Sequence, residues 1–233
     1  MIDDATVRRV SVVVPAFDAE RFVAHTLDGL LAQTIPLHEI VVVDDGSTDE
    51  TAAVVERYAD RGVRLVRKVN GGDASAINRG VASVTGDVVG ICDADDLWSD
   101  RFVECLFPAF ADPSVGFVFG AVQNVRDAPD LRDASPLGER RLGPLRGATL
   151  IRRAALDEVG PWDERLRSQS ALDWWSRAMA SRWSAVAVDE LVMFRRVHDR
   201  NLNFTRRDDR DREIPQMLRA HLARRRAQEG GPR

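Results

Sequence analysis

Residues 88–96, VVGICDADD, decide the reading of this chain: a run of strand-forming residues stops in three carboxylates within four positions. An unbroken apolar run of this length reads as a strand buried in a sheet core. A buried strand that ends in so many acids needs a cationic partner at its tip. Asp93 and Asp95 are two apart, so in extended chain both side chains point the same way, while the small Ala94 turns aside. Two carboxylates at one place repel, and a hard divalent cation removes the repulsion. Mg2+ or Mn2+ takes one or two protein carboxylates and fills its other positions with water and phosphate oxygens. The segment therefore suits a metal and a diphosphate ligand. The competing account is that the acids are turn and N-cap groups, which Asp commonly supplies.

Working outward, the same strand-then-acid pattern recurs upstream. Residues 10–14 form a β-branched run closed by Pro15, and 20–33 carry Phe22, Val23, Leu27, Leu30 and Leu31 at helical spacing. Residues 40–43 repeat the strand pattern and end in Asp44-Asp45-Gly46. Ser47 and Glu50 stand in capping-box relation for a helix over 49–59. Residues 63–67 read as a third strand, Asn70-Gly71-Gly72 as a turn, and 74–84 as a third helix before the strand at 88–92. Such alternation predicts an α/β fold with parallel strands, right-handed crossovers and helices on both faces. Ligands bind such sheets at the carboxyl ends of the strands. Three of those ends carry unusual chemistry, so residues 15–18, 44–46 and 93–96 are expected to form one site.

Gly46 and Ser47 are accounted for by a tight turn and a helix cap, which leaves the two aspartates beside them unexplained. A carboxylate there can accept from the ring N–H of a pyrimidine or from a ribose hydroxyl. Gly71 and Gly72 allow backbone N–H groups to approach an anion closely, and a plain turn is equally compatible.

Downstream the alternation weakens. Residues 100–111 read as a helix and 115–122 as a strand, while the polar stretch 124–143 is expected to be a loop or lid. A strand at 147–151, helices at 153–159 and 173–182, and two strands at 183–188 and 191–197 follow. The tail 206–233 holds nine Arg against five acids. Ile214, Met217, Leu218, His221 and Leu222 fall on one helical face of it, which suits either docking on its own domain or contact with a membrane or an acidic partner. The expected organisation is one domain over 1–205, with a first half at 10–98 and a second at 99–205, and then the tail.

Composition narrows the class. A hydrophobic content of 44%, a charged content of 30% and a net charge of -4 over 233 residues match an ordinary globular protein and give no sign of a whole-protein nucleic-acid binder. No stretch approaches the ~20 apolar residues that span a bilayer, and the start lacks a signal-type apolar region, so a cytoplasmic protein is expected. Cys92 and Cys105 lack metal-type spacing and read as reduced core thiols. Lys68 is the only lysine among 33 basic residues.

Four segments together resemble glycosyltransferase family 2, inverting enzymes of the GT-A fold that use nucleotide-diphospho-sugars: VSVVVPAFDAERFV, VVVDDGSTDET, VNGGDASAINRGV and GDVVGICDADDLW. Weaker likeness returns at GATLIRRAALDEVGPWDERL and FRRVHDRNLN. The resemblance implies a predominantly parallel GT-A sheet with a smaller acceptor-side lobe, and makes 10–98 the nucleotide-sugar-binding half and 99–205 the acceptor half. It also implies a nucleotide-sugar donor and Mn2+ or Mg2+. Pro15, Phe17 and Glu20 would belong to the nucleotide-side loop, Asp45 would bind the base, and Asp93 would sit near the ribose or metal. Asp95 would hold the metal, and His198 would approach the metal or diphosphate.

The chain also departs from the family. Asp18 and Ile77 stand where Asn and Arg are usual, and Ser170-Ala171 fall where an acidic pair commonly supplies the base, leaving Asp173 as the nearest acid for that role. Trp162, Trp174 and Trp175 could stack on a sugar or fill the second lobe's core. The resemblance implies sugar transfer from a UDP- or dTDP-sugar to a small molecule, lipid carrier, glycan or peptide. The alternative is a nucleotide-sugar-binding scaffold that lost its base. A nucleotidyltransferase would show a Gly-rich, basic first loop, which PAFDAERF is not.

Overall fold

The structure, a computed structural model, describes residues 9–128, 134–198 and Glu213. In chain order the elements are β1 (Val10–Ala16), α1 (Val23–Leu31), β2 (Glu39–Asp44), α2 (Thr51–Glu56), β3 (Val63–Arg67), α3 (Asp73–Val81), β4 (Val88–Ile91), β5 (Leu97–Trp98), α4 (Phe102–Leu106), β6 (Val115–Arg126), β7 (Arg141–Leu142), β8 (Thr149–Arg152), α5 (Arg153–Val159), α6 (Ser170–Met179) and β9 (Ser184–Val197). The strands form one sheet in the order β3-β2-β1-β4-β8-β6-β9-β5, with β7 added beside β6. The expected α/β architecture is present. Parallel pairing holds from β3 through β4 and again between β6 and β9, whereas β8 runs antiparallel to both β4 and β6, so the sheet is mixed.

Both faces of the first half are covered, which explains its unbroken apolar strands. Val12 and Val14 of β1 join a core with Leu27, Leu30, Trp98 and Phe102, while Val13 faces Val41, Ile77, Ile91 and Trp174 on the other side. Gly90 on β4 has a packing reason. A Cβ there would lie 2.4 Å from the Trp98 ring, so only glycine lets the indole lie against the strand. Trp98 stacks on Phe102 at 3.6 Å between ring centroids and donates its Nε1–H to the Gly147 carbonyl at 2.7 Å. The chain leaving the acidic turn is thereby pinned, together with the 3-10 turn at Arg146–Ala148.

Several local expectations are corrected. The capping box at Ser47 and Glu50 does not form, because the Ser47 hydroxyl accepts from the Asp18 N–H at 3.0 Å and α2 begins only at Thr51. Asp49 accepts the Thr51 N–H at 3.0 Å instead. The polar stretch after residue 124 is not all loop: β6 runs on to Arg126, and β7 pairs with it. The two strands expected between 183 and 197 are one strand, whose register against β6 slips near residues 119–122. Trp162, Trp174 and Trp175 are all buried core, with Trp162 stacked on Trp174 at 4.5 Å.

Cys92 is buried and Cys105 half-buried, both free. No helix among the described residues is long and apolar enough to cross a membrane. The tail readings at 206–233 lie outside the described residues, apart from Glu213.

Candidate functional site

A cleft of about 820 Å3 opens at the carboxyl ends of β1, β2 and β4. Pro15, Phe17, Asp45, Gly72, Asp93, Asp95 and His198, all singled out from the sequence, line it. Glu20, Gly71 and Asp173 do not.

At the tip of β2 the paired aspartates divide their work. Asp44 is fully buried and accepts from the Ser47 N–H at 2.9 Å and from Arg67 Nε at 3.2 Å, so it holds the turn. Gly46 sits at φ 77, where a Cβ would meet the Asn70 nitrogen at 2.8 Å. Asp45 faces the cleft. Its Oδ1 accepts from Lys68 Nζ at 2.5 Å and from the Gly71 N–H at 3.0 Å, and its Oδ2 accepts from the Gly72 N–H at 2.7 Å. The Gly71-Gly72 pair does cradle an anion, but the anion is the Asp45 carboxylate. Glu20 staples two loops: its carboxylate accepts the Glu50 N–H at 3.1 Å, and its own N–H goes to Asp49. Asp18, at φ 47, closes the same seam by accepting the Thr48 N–H at 2.8 Å.

At the tip of β4, Thr26 of α1 places its hydroxyl 2.9 Å from the Ala94 carbonyl and 2.8 Å from that of Asp96, fixing the turn. His198, just beyond β9, brings Nε2 to 2.9 Å from Asp95 Oδ2 and stacks its ring on Phe22 at 4.6 Å. These two residues are 103 positions apart and meet because β9 returns beside β5. Burial, followed by the nearby Asp93 charge, raises the Asp95 carboxyl above its usual range, against the His198 hydrogen bond. Asp96 is raised well above that range by burial and by Asp95 and Asp93; it accepts the Arg196 backbone N–H at 2.9 Å and belongs to the framework.

Arg196 was not singled out in the sequence and is the hub behind the turn. Its side chain is 5% exposed, donates to the Asp95 carbonyl at 3.0 Å and to Asp127, approaches His25 Nδ1 at 3.1 Å and lies over the Phe22 ring at 4.8 Å. Arg146 is a second residue missed in the sequence. It lines the cleft and bridges Asp73, at the start of α3, to Asp93. Burial works against its charge, but Asp73 and Asp93 hold it protonated beyond the ordinary arginine range. Position 77, an arginine in the family pattern, is a fully buried Ile here and offers the cleft no cation.

Another part of the cleft wall is made of Arg167, Ser168, Gln169, Ser170 and Ala171. Asp173, expected as the base, is 5% exposed and paired with Arg177 Nε at 3.0 Å one turn on. The helix starts at Ser170, so Asp173 falls on its inner face with Trp174 and Ala178. Glu213, buried, accepts the backbone N–H groups of Arg167 (2.7 Å), Ser168 (2.9 Å) and Gln169 (2.9 Å). Burial opposes these bonds, yet they carry its carboxyl below the usual range. One glutamate among nine arginines gave no sequence signal for that role.

The donor set fits a hard cation of a particular kind. Asp95 supplies an oxygen and His198 an imidazole nitrogen, and no group of three or more His, Cys, Asp or Glu among the described residues is placed to hold a metal. Two protein donors suit an ion that completes its shell with water and ligand oxygens, not a closed structural site.

Comparison with known proteins follows the geometry. The family model described as glycosyl transferase family 2 matches residues 11–160. A glycosyltransferase of Bacillus subtilis, EpsJ, is 36% identical over 99 residues, covering 42% of this chain and 29% of that protein. The chain spans between 29% and 39% of the length of the first three curated relatives it matches. Among solved structures, the mannosyltransferase PcManGT of Pyrobaculum calidifontis, in complex with GDP-Man and Mn2+, is similar at TM-score 0.69 and 24% identity, covering 97% of this chain and 65% of its own. S. aureus TarS residues 1–349 with UDP-GlcNAc is similar at TM-score 0.67 and 22% identity, covering 83% and 60%.

Proposed function

The chain belongs to glycosyltransferase family 2, and from that premise we propose that it is a metal-dependent inverting glycosyltransferase that moves a sugar from a UDP- or dTDP-sugar to an acceptor hydroxyl. The observation that supports this best is the meeting of Asp95 and His198 at 2.9 Å on the wall of a cleft large enough for a nucleotide-sugar. The similar structures with UDP-GlcNAc and with GDP-Man and Mn2+ favour the same ligand class.

In this reading Asp45, locked by Lys68 and two glycine N–H groups, presents its remaining lone pairs to a base N–H. Pro15 and Phe17 flank the base. Asp95 and His198 would hold the cation. The bound cation would offset the charge that grows on the departing nucleoside diphosphate. Arg167 and Arg195, also on the cleft wall, supply further positive charge. Inversion needs one in-line displacement and no covalent nucleophile, but one group must take the acceptor's proton.

A second reading, donor binding without transfer, is favoured by one specific observation. Residues 167–171 of the acceptor wall include no carboxylate, and Asp173 is committed to Arg177. The test is to incubate the protein with Mn2+ and UDP-, dTDP- and GDP-sugars, measuring donor binding and nucleoside diphosphate release in parallel. Binding with release supports transfer, binding without release under any acceptor supports the second reading, and no binding removes both.

A further inference from the structure

The cleft is crowded with acids: Asp18, Asp45, Asp73, Asp93, Asp95 and Asp96 all line it. Two of them, Asp73 and Asp93, come from different elements and are tied to one guanidinium. Arg146 Nη1 donates to Asp73 Oδ2 at 2.5 Å, and Nη2 donates to Asp93 Oδ1. Each carboxylate thus gives one oxygen to Arg146. The other two oxygens, Asp73 Oδ1 and Asp93 Oδ2, accept no hydrogen bond among the described residues. The Asp73 and Asp93 side chains remain 22% and 34% exposed, while the Arg146 side chain is 14% exposed. All three line the cleft, with Arg146 the most buried of them and the two carboxylates the more exposed.

The arrangement also has a cost. Arg146 Nε is buried with no hydrogen-bond partner, so the guanidinium is placed to serve the two carboxylates at the expense of its own third donor. A planar fork of this kind fixes both the separation and the tilt of two carboxylates, which an ammonium cannot do.

We propose that Arg146 is a positioning residue for the donor: it holds Asp73 and Asp93 side by side as a paired acceptor for two hydroxyl groups of the nucleotide-sugar. This deepens the proposed function and rests on it. The chemistry selects hydroxyls. Two carboxylates that share one guanidinium keep a net negative charge, so their free oxygens repel a phosphate and accept hydrogen bonds from hydroxyl donors. It also gives Asp93 and Asp95 different tasks. Asp93 gives one oxygen to Arg146, whose single charge it shares with Asp73, while Asp95 stands with His198 for the cation. Such hydroxyls occur on the ribose and on the transferred sugar, and the test separates them.

Binding is measured calorimetrically with Mn2+ for UDP against 2′-deoxy-UDP, and for UDP-glucose and UDP-N-acetylglucosamine against UDP, with the matching GDP and GDP-mannose set. The proteins are the wild type, Asp73→Asn and Arg146→Met, each checked for an unchanged thermal midpoint, with Arg146→Lys as the conservative variant. The expected result is at least a tenfold loss of discrimination in both Asp73→Asn and Arg146→Met, with Arg146→Lys only partly restored. Loss of the UDP preference over 2′-deoxy-UDP assigns the ribose hydroxyls, and loss of the gain from the sugar assigns the sugar's. If the folded variants bind every ligand as the wild type does, the inference is overturned while the donor-binding reading stands. If the wild type binds none of the ligands, both fall.

Discussion

Lys68→Met tests how the nucleotide-side loop is held. Lys68 Nζ lies 2.5 Å from Asp45 Oδ1, with side chains 20% and 4% exposed. Breaking a buried pair by removing one partner costs ~3–5 kcal/mol. Here the Gly71 and Gly72 N–H groups still solvate the stranded carboxylate, so a smaller loss of about 2 kcal/mol is expected. Asp45→Asn has a comparable cost by another route: its amide must present an N–H to one of those donors, while Lys68 can turn to water. Because the two residues act as a unit, the double variant should be less destabilised than the sum of the singles by about 1–2 kcal/mol. Urea unfolding of the four proteins, at unchanged m-value, measures this. Additivity within ~0.5 kcal/mol would show that Lys68 and Asp45 are merely adjacent, and the account of the loop would be wrong.

The remaining expectations concern other parts of the molecule. Asp173→Asn should lower the unfolding midpoint in urea by breaking its pair with Arg177, with nucleotide-sugar turnover per folded molecule unchanged; a large fall in turnover at constant stability would return Asp173 to the chemistry. Arg196→Met should cost about 1–3 kcal/mol by taking one donor each from the Asp95 carbonyl and from Asp127, which keeps Arg21 at 3.3 Å, and a loss under about 0.5 kcal/mol would deny it the role of hub. Glu39 accepts from Ser11, Arg64 and the Thr85 N–H, and these bonds, against the opposing effect of burial, bring its carboxyl down to about 2. Its folded pKa is depressed, so its contribution is present above the unfolded value of about 4.3 and is lost as pH falls toward 2; it amounts to about 1–2 kcal/mol once solvent screening is allowed for. Glu39→Gln should flatten that part of the stability profile, and an unchanged acid limb would refute the assignment.

The first half of the fold is legible because β1, β2 and β4 are buried on both faces and each ends in a chemically marked turn. Residues 10–14, 40–43 and 88–92 therefore announce themselves without any partner. The second half is harder to read, since its strands depend on neighbours. Asn124 and Arg126 look like loop residues until β9 supplies Arg195 and Val197 as their pairing partners, and the slip near residues 119–122 hides one strand as two.

The site shows the same division. Side chains that act from a strand tip, such as Asp45, Asp93 and Asp95, stand out by residue type and position. Arg146, Arg196 and Glu213 act through long-range ion pairs and backbone caps, and nothing local distinguishes them from the chain's many other charges. Asp173 reads differently in the sequence and in the fold for a helical reason: beginning α6 at Ser170 turns that carboxylate inward toward Arg177.

The central claim is that Asp95 and His198 hold a cation through which the donor diphosphate is bound. Calorimetric titration of UDP-sugars into the wild type and Asp95→Ala, with and without Mn2+, tests it most directly. The account predicts metal-dependent binding to the wild type and its loss in Asp95→Ala at an unchanged thermal midpoint; equal affinity with and without Mn2+, or binding retained in the variant, would contradict it.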